Sequence, residues 1–262
     1  MSTLSYATRD SVTMLRRNLL HTVRYPVTIL VSLMVPAMLL LLFVGVFGGA
    51  LGAGLAAAPA GGKYIDYVVP GILMMTVGYG ASSTALAVNR DMTEGIITRL
   101  RTMAISRGTV LTGHVGGALI RTMVSAVLLV GVALAMGFRS GAGAKQWLAA
   151  AGLIALLTLA LSWLAVAIGL AAANPEGTSG FTLLVQLLPF VSSAFVPTGS
   201  MSEAVRWFAH NQPFTPIIDT LRGLLMGTAI GHSGLIAVGW CVGLAVLGYV
   251  WARALFRRDS AR

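Results

Sequence analysis

Apolar residues are gathered into six long runs separated by short polar or glycine-rich stretches. Residues 27–47, 67–88, 115–136, 147–171 and 235–256 each approach or exceed the ~20 residues that an α-helix needs to cross a hydrocarbon core. A sixth run, 181–196, is shorter, carries Pro189, Gln186, Ser192 and Ser193, and is lengthened at its start by residues 178–180. The pattern predicts an all-α membrane protein with six transmembrane helices.

Finer periodicities lie between the runs. Val12, Leu15, Leu19 and Val23 share one helical face opposite Asp10, Arg17, His21 and Arg24, which predicts an N-terminal interfacial helix within residues 1–25, a solvated basic tail being the other reading. In the insert 89–107, Met92, Ile96, Leu100 and Met103 form a stripe, with Asp91 as helix cap and Glu94 closing an Asp-x-x-Glu capping box. Late in the chain, region 197–231 holds two helix starts. Ser200 and Glu203 form a capping box for a short helix through His210 with Val205, Trp207 and Phe208. Thr215 caps a second, with Pro216 at its first position and Gly227 at its end. Helices of ~10 residues reach about half a crossing, so an outer re-entrant or interfacial hairpin is expected, with Asp219 and Arg222 one turn apart and able to pair. Helices that merely pack on the bundle are the alternative.

Composition agrees with a lipid solvent. The chain is 56% hydrophobic and 10% charged, against ~25% charged residues in soluble domains, and its mean hydropathy is +0.84. The net charge of +10 is unevenly placed. Arg9, Arg16, Arg17, Arg24, Arg90, Arg99, Arg101, Arg107, Arg253, Arg257, Arg258 and Arg262 all fall on one side of a six-span topology, which places both termini and the 89–107 insert in the cytoplasm. No soluble basic surface remains for nucleic acid. Arg16-Arg17 before the first run and the alanines after it imitate a cleaved leader, yet the five further runs predict that the first helix is retained. Cys241 is the single cysteine, and His21, His114, His210 and His232 are scattered without metal-ligand spacing.

The chemistry of the spans is sparse. None of the five long runs contains Asp or Glu. Arg121, near the cytoplasmic start of its run, either snorkels to the surface or acts as a gate or substrate contact. Ser82, Ser83, Gln186, Ser192 and Ser193 either line a path or make interhelical hydrogen bonds. No phosphate-cradling loop exists, because Gly62-Lys63 is followed by Tyr64 and lacks the earlier glycine. An enzyme would need converging His, Asp or Glu on facing helices, which is not the pattern here. The chain therefore binds no nucleotide or metal of its own, and work must arrive through the insert.

Two stretches carry a resemblance. NRDMTEGIITRLRTMAISRGTVLTGH and LPFVSSAFVPTGSMSEAVRWFAHNQPFTPIIDTLRGLLMG closely resemble the permeases of ABC-2 type exporters, particularly the daunorubicin-resistance-like branch. The resemblance covers nearly all of residues 1–262 as a single transmembrane domain in a bacterial cytoplasmic membrane. It implies two separate ATPase subunits that bind ATP and Mg, a second permease, identical or homologous, surrounding membrane lipids, and outward export of an amphipathic or apolar drug, lipid or glycoconjugate. Asp91, Met92, Glu94, Gly95, Ile96, Arg99, Leu100, Arg101 and Met103 would form the coupling segment, with Glu94 either capping or touching the partner. Trp207, Phe208, Asp219 and Arg222 would mark the outer hairpin. A non-transporting scaffold or accessory subunit is the rival reading.

Overall fold

A computed structural model of the chain describes residues 26–50, 52, 63–94 and 107–258. The N-terminal interfacial helix and the heart of the coupling insert, residues 95–106, lie outside the described residues. The described helices are α1 (Pro26–Gly45), α2 (Tyr64–Thr93), α3 (Arg107–Ala135), α4 (Ala144–Ala171), α5 (Ser179–Leu187), α6 (Glu203–Asn211), α7 (Phe214–Met226) and α8 (Ser233–Arg258). Short 3-10 turns occupy Pro175–Thr178, Leu188–Val191 and Thr198–Ser200.

Among the described residues four helices, within α2, α3, α4 and α8, are long and apolar enough to cross a membrane. The α1 helix runs 20 residues and keeps its helical course through Pro36. The expected crossing at 181–196 is not one continuous helix. A nine-residue α5 passes into the Leu188–Val191 turn, where Pro189 withholds a backbone donor, and the chain then leaves helical geometry at Ser192.

Burial ranks the helices. The apolar window of α2 is 78% buried, whereas that of α3 is 33% and that of α8 is 22% buried. Accordingly α2 packs against α1, α3, α4, α5 and α7, while α8 lies mainly on α4 with a further contact to α7. The periphery is apolar rather than polar: Met38, Val127, Leu235 and Leu247 are exposed, and Thr76, Ser82, Thr84, Thr122, Ser125, Thr158 and Ser162 are buried. A water-soluble protein would reverse that arrangement. Most of these buried hydroxyls are satisfied within their own helix, Thr76 donating to Ile72 O, Thr84 to Gly80 O and Thr158 to Ile154 O.

Several boundaries differ from the sequence expectation, at α2 and α3 because intrahelical bonding continues past the apolar run. Nothing in residues 89–93 breaks a helix, so α2 extends to Thr93, and Asp91 sits in its last turn rather than capping a new helix. Glu94 instead ends α2, its N–H bonded to Arg90 O. α3 starts at Arg107, well before residue 115, which places Arg121 near its middle rather than close to one end. Ser202, not Ser200, occupies the N-cap of α6, and the Ser200 hydroxyl bonds Pro197 O. α7 begins at Phe214 after Pro213, leaving Thr215 inside the first turn and Pro216 where a missing N–H costs no helical bond. Gly227 closes α7 as expected, in the left-handed conformation at φ 71°.

The helices meet where side chains vanish. A Cβ on Gly169 of α4 would stand 2.6 Å from Ala85 O of α2, and one on Gly248 of α8 would stand 2.6 Å from Leu164 N of α4. Gly131 and Gly152 have nothing within 4 Å. Replacing Gly169 by leucine is expected to force α2 and α4 apart and cost about 1–3 kcal/mol, read as a lower thermal midpoint in detergent, while Gly152→Leu leaves the midpoint unchanged.

Candidate functional site

The two ends of α2 carry the polar constellations of the bundle. At the Tyr64 end, Arg222 of α7 is the centre. Its Nη1 bonds Asp219 Oδ1 at 2.7 Å, its Nη2 donates to Ser193 O at 2.6 Å, and its Nε donates to Tyr67 O at 3.3 Å. The guanidinium also lies over the Tyr67 ring, 3.8 Å from the centroid. The Ser193 hydroxyl donates to Asp219 Oδ1 at 2.6 Å, and the Tyr67 hydroxyl donates to Ser193 O at 2.9 Å.

Neighbouring bonds extend this knot along the segment that follows α5. The Tyr64 hydroxyl reaches Phe195 O at 3.2 Å, and Gln212 Nε2 reaches Val191 O at 2.8 Å. Phe195 stacks on Phe43 of α1 with ring centroids 4.3 Å apart and on Phe190 at 4.9 Å. Gly71 permits the closest approach, since a Cβ there would be 2.6 Å from that of Ala194. The physical need is plain: residues 188–196 depart from helical bonding inside an apolar bundle, so their carbonyls require donors, and α2, α7 and the α6–α7 turn supply them. The loop between α3 and α4 is tied to the same end, with Arg139 N donating to Asp66 Oδ1 and the Ser140 hydroxyl donating to Leu225 O.

At the Thr93 end, Asn89 is fully buried and its Nδ2 donates to Gly169 O at 3.2 Å and Ala172 O at 2.6 Å, closing the last turn of α4. Asp91 Oδ2 pairs with His114 Nε2 at 3.2 Å, fastening α2 to α3 on either side of the insert. Met92 is half-buried against the cluster of Val88, Leu111, Val115 and Phe256. Glu94 is exposed. Gly95, Ile96, Arg99, Leu100, Arg101 and Met103 lie outside the described residues.

The remaining candidates are dispersed. Arg121 Nη2 meets Thr84 Oγ1 at 3.4 Å between α3 and α2. Ser82 and Ser83 donate to Gly78 O and Gly80 O of their own helix, and Ser192 donates to Pro189 O. Gln186 is half-buried on α5. Trp207 and Phe208 are exposed on α6, whereas Asp219 and Arg222 sit on the well-buried α7. Sequence reasoning found the Asp219–Arg222 pair and Ser193 but missed Tyr64, Tyr67 and Gln212. The available signal was the pair of tyrosines at the mouth of an apolar run, amphipathic rings that bury a body and leave a hydroxyl to be bonded.

Residues 10–226 match the family model described as ABC-2 type transporter. The chain belongs to the ABC-2 type transporter family. Two relatives sharpen the placement within ABC-2 type transporters. The daunorubicin resistance ABC transporter permease protein DrrB1 of Streptomyces coeruleorubidus is 27% identical over 186 residues, which is 67% of this chain and 66% of that protein. The probable doxorubicin resistance ABC transporter permease protein DrrC of Mycobacterium tuberculosis, strains CDC 1551 and H37Rv, is 25% identical over 193 residues, 74% of this chain and 70% of the relative. As an ABC-2 type chain it is a permease subunit, not a catalytic one.

Lysine cannot reproduce a fork that bonds two backbone carbonyls and a carboxylate while lying over a ring. Arg222→Lys is therefore expected to raise hydrogen exchange across residues 191–196 severalfold, with exchange in α4 unaltered. Equal exchange in both proteins would remove Arg222 as the fastener of that segment.

Proposed function

We propose that this chain forms the transport path of an ATP-driven exporter and that the segment at 89–107 receives the push of separate ATPase subunits. The observation that carries the reading is the course of α2. It runs 30 residues without a break, from Tyr64 beside the Arg222 knot to Thr93 within the first residues of the insert. The Asp91–His114 pair joins α3 to the same lever, so a force on the insert acts on both helices together. Tilting α2 would draw Tyr67 and Gly71 away from Ser193 and Ala194 and open the far end.

In this reading six crossings are made by α1, α2, α3, α4, the broken α5 segment and α8. Both termini and the insert face the cytoplasm of a bacterial cell, as the arginine distribution favours. α6 and α7 form the outer hairpin, with exposed Trp207 lying in the interface and α7 seated in the bundle. Residues 1–25 lie along the inner membrane surface. Two ATPase subunits supply ATP and Mg chemistry, a second permease completes the path, and an amphipathic or apolar cargo moves outward; the drug-resistance names of the relatives favour small amphiphiles. Ile96, Leu100 and Met103 seat the coupling helix, while Arg99 and Arg101 meet acidic groups of the ATPase.

Changing Arg99 and Arg101 together to glutamate should leave the protein inserted and able to bind lipid, yet lower ATP-driven transport in proteoliposomes by at least about tenfold, since each reversed contact of this kind is worth ~1 kcal/mol or more. Transport at the unmodified rate would refute the assigned coupling role.

A further inference from the structure

Arg121 occupies an unusual place for a charge. It lies six residues beyond Val115, where the apolar run of α3 starts, hence about 9 Å along the helix. The guanidinium turns sideways across to α2, where it meets Thr84 Oγ1 at 3.4 Å. The Thr84 proton is already given to Gly80 O at 2.8 Å, leaving the oxygen as a lone neutral acceptor. Arginine carries five N–H donors. No carboxylate of the described residues is ion-paired with it; Asp219 is held by Arg222, and Asp91 faces His114.

The surroundings are a close helix crossing. Thr122, the next residue, presses its hydroxyl on Gly80, so α2 and α3 touch most closely beside Arg121. One turn further on, Ser125 is buried while Val124 and Leu128 are exposed. Arg121 is itself half-buried, beside the exposed apolar side chains of Val124 and Leu128. A cation in such a medium demands an anion, and a planar fork fits the paired oxygens of a phosphate, sulfate or carboxylate.

We propose that Arg121 binds the acidic group of the cargo, and that the cargo is an anionic amphiphile reaching it along the exposed apolar face of α3 at Val124 and Leu128. This rests on the permease reading above and gives its cargo a charge. A cationic amphiphile would meet Arg121 with no carboxylate of the described residues beside it.

The test uses the full chain in phosphatidylcholine nanodiscs and two pyrene-tailed amphiphiles with identical tails, one ending in a phosphate and one in a quaternary ammonium. Binding is read by energy transfer from the five tryptophans. The unmodified chain should bind the phosphate probe about tenfold or more tightly than the ammonium probe. Arg121→Lys should keep that preference, Arg121→Gln should lose it and Arg121→Glu should reverse it, all with thermal midpoints near that of the unmodified protein. A preference for the ammonium probe, or a phosphate preference that survives Arg121→Gln, overturns the proposal. Reconstitution with the copurifying ATPase separates cargo from resident lipid. ATP-driven movement of the phosphate probe supports the assignment, and movement of the ammonium probe alone overturns it while leaving the permease reading intact. Movement of neither probe, with ATP hydrolysis running, overturns the permease reading and the cargo assignment with it.

Discussion

Burial of α2 on nearly every side is the constraint on which the rest of the structure depends. A helix enclosed in this way must be apolar around its whole circumference and must present small residues where neighbours cross it. Residues Gly71, Gly78 and Gly80 meet that need against Ala194, Val185 and Thr122. On the opposing side, Gly169 of α4 accepts the backbone of α2 at Ala85. Polar groups that bridge α2 to other elements then concentrate at its ends, the Arg121–Thr84 contact apart, while its buried mid-helix hydroxyls bond their own helix.

The Arg222 knot solves a second problem created by the first. Once α5 ends at Leu187 and the chain turns back toward α2, a stretch of non-helical backbone is left inside apolar surroundings. Its carbonyls at Val191, Ser193 and Phe195 take donors from Gln212, Arg222, Tyr67 and Tyr64. The result is a seam that is strong in hydrogen bonds and narrow in contact area. Such seams have discrete bonded and unbonded arrangements, which suits a closure that must open and reform. A purely apolar joint between the same elements would slide rather than switch.

Much of this was legible before any coordinates. The long runs became helices because hydrophobic length is a strong signal, and membership of an all-helical class followed from it. Boundaries were less legible. Capping motifs marked Ser200 and Thr215 as helix starts, yet α6 took Ser202, because the Ser200 hydroxyl bonds the local Pro197 carbonyl, and α7 took the residue after Pro213, which leaves Thr215 in the first turn. Asp91 misled for a similar reason: its carboxylate found His114, a long-range partner that no local pattern announces. The Arg222–Asp219 pair was visible at its three-residue spacing, but the third and fourth members of the knot come from α2 and from the segment after α5, so only the fold brings them together.

The account's central claim is that α2 carries motion from the insert to the seam at Ser193 and Ala194. It is tested most directly by joining the seam covalently: Tyr67→Cys with Ser193→Cys in a Cys241→Ala background, bridged by a short bis-thiosulfonate crosslinker that reduction removes, followed by ATP-driven transport in proteoliposomes before and after reduction. The account predicts that the crosslinked protein is transport-dead and that reduction returns transport to the level of the untreated variant. Full transport by the crosslinked protein would contradict it.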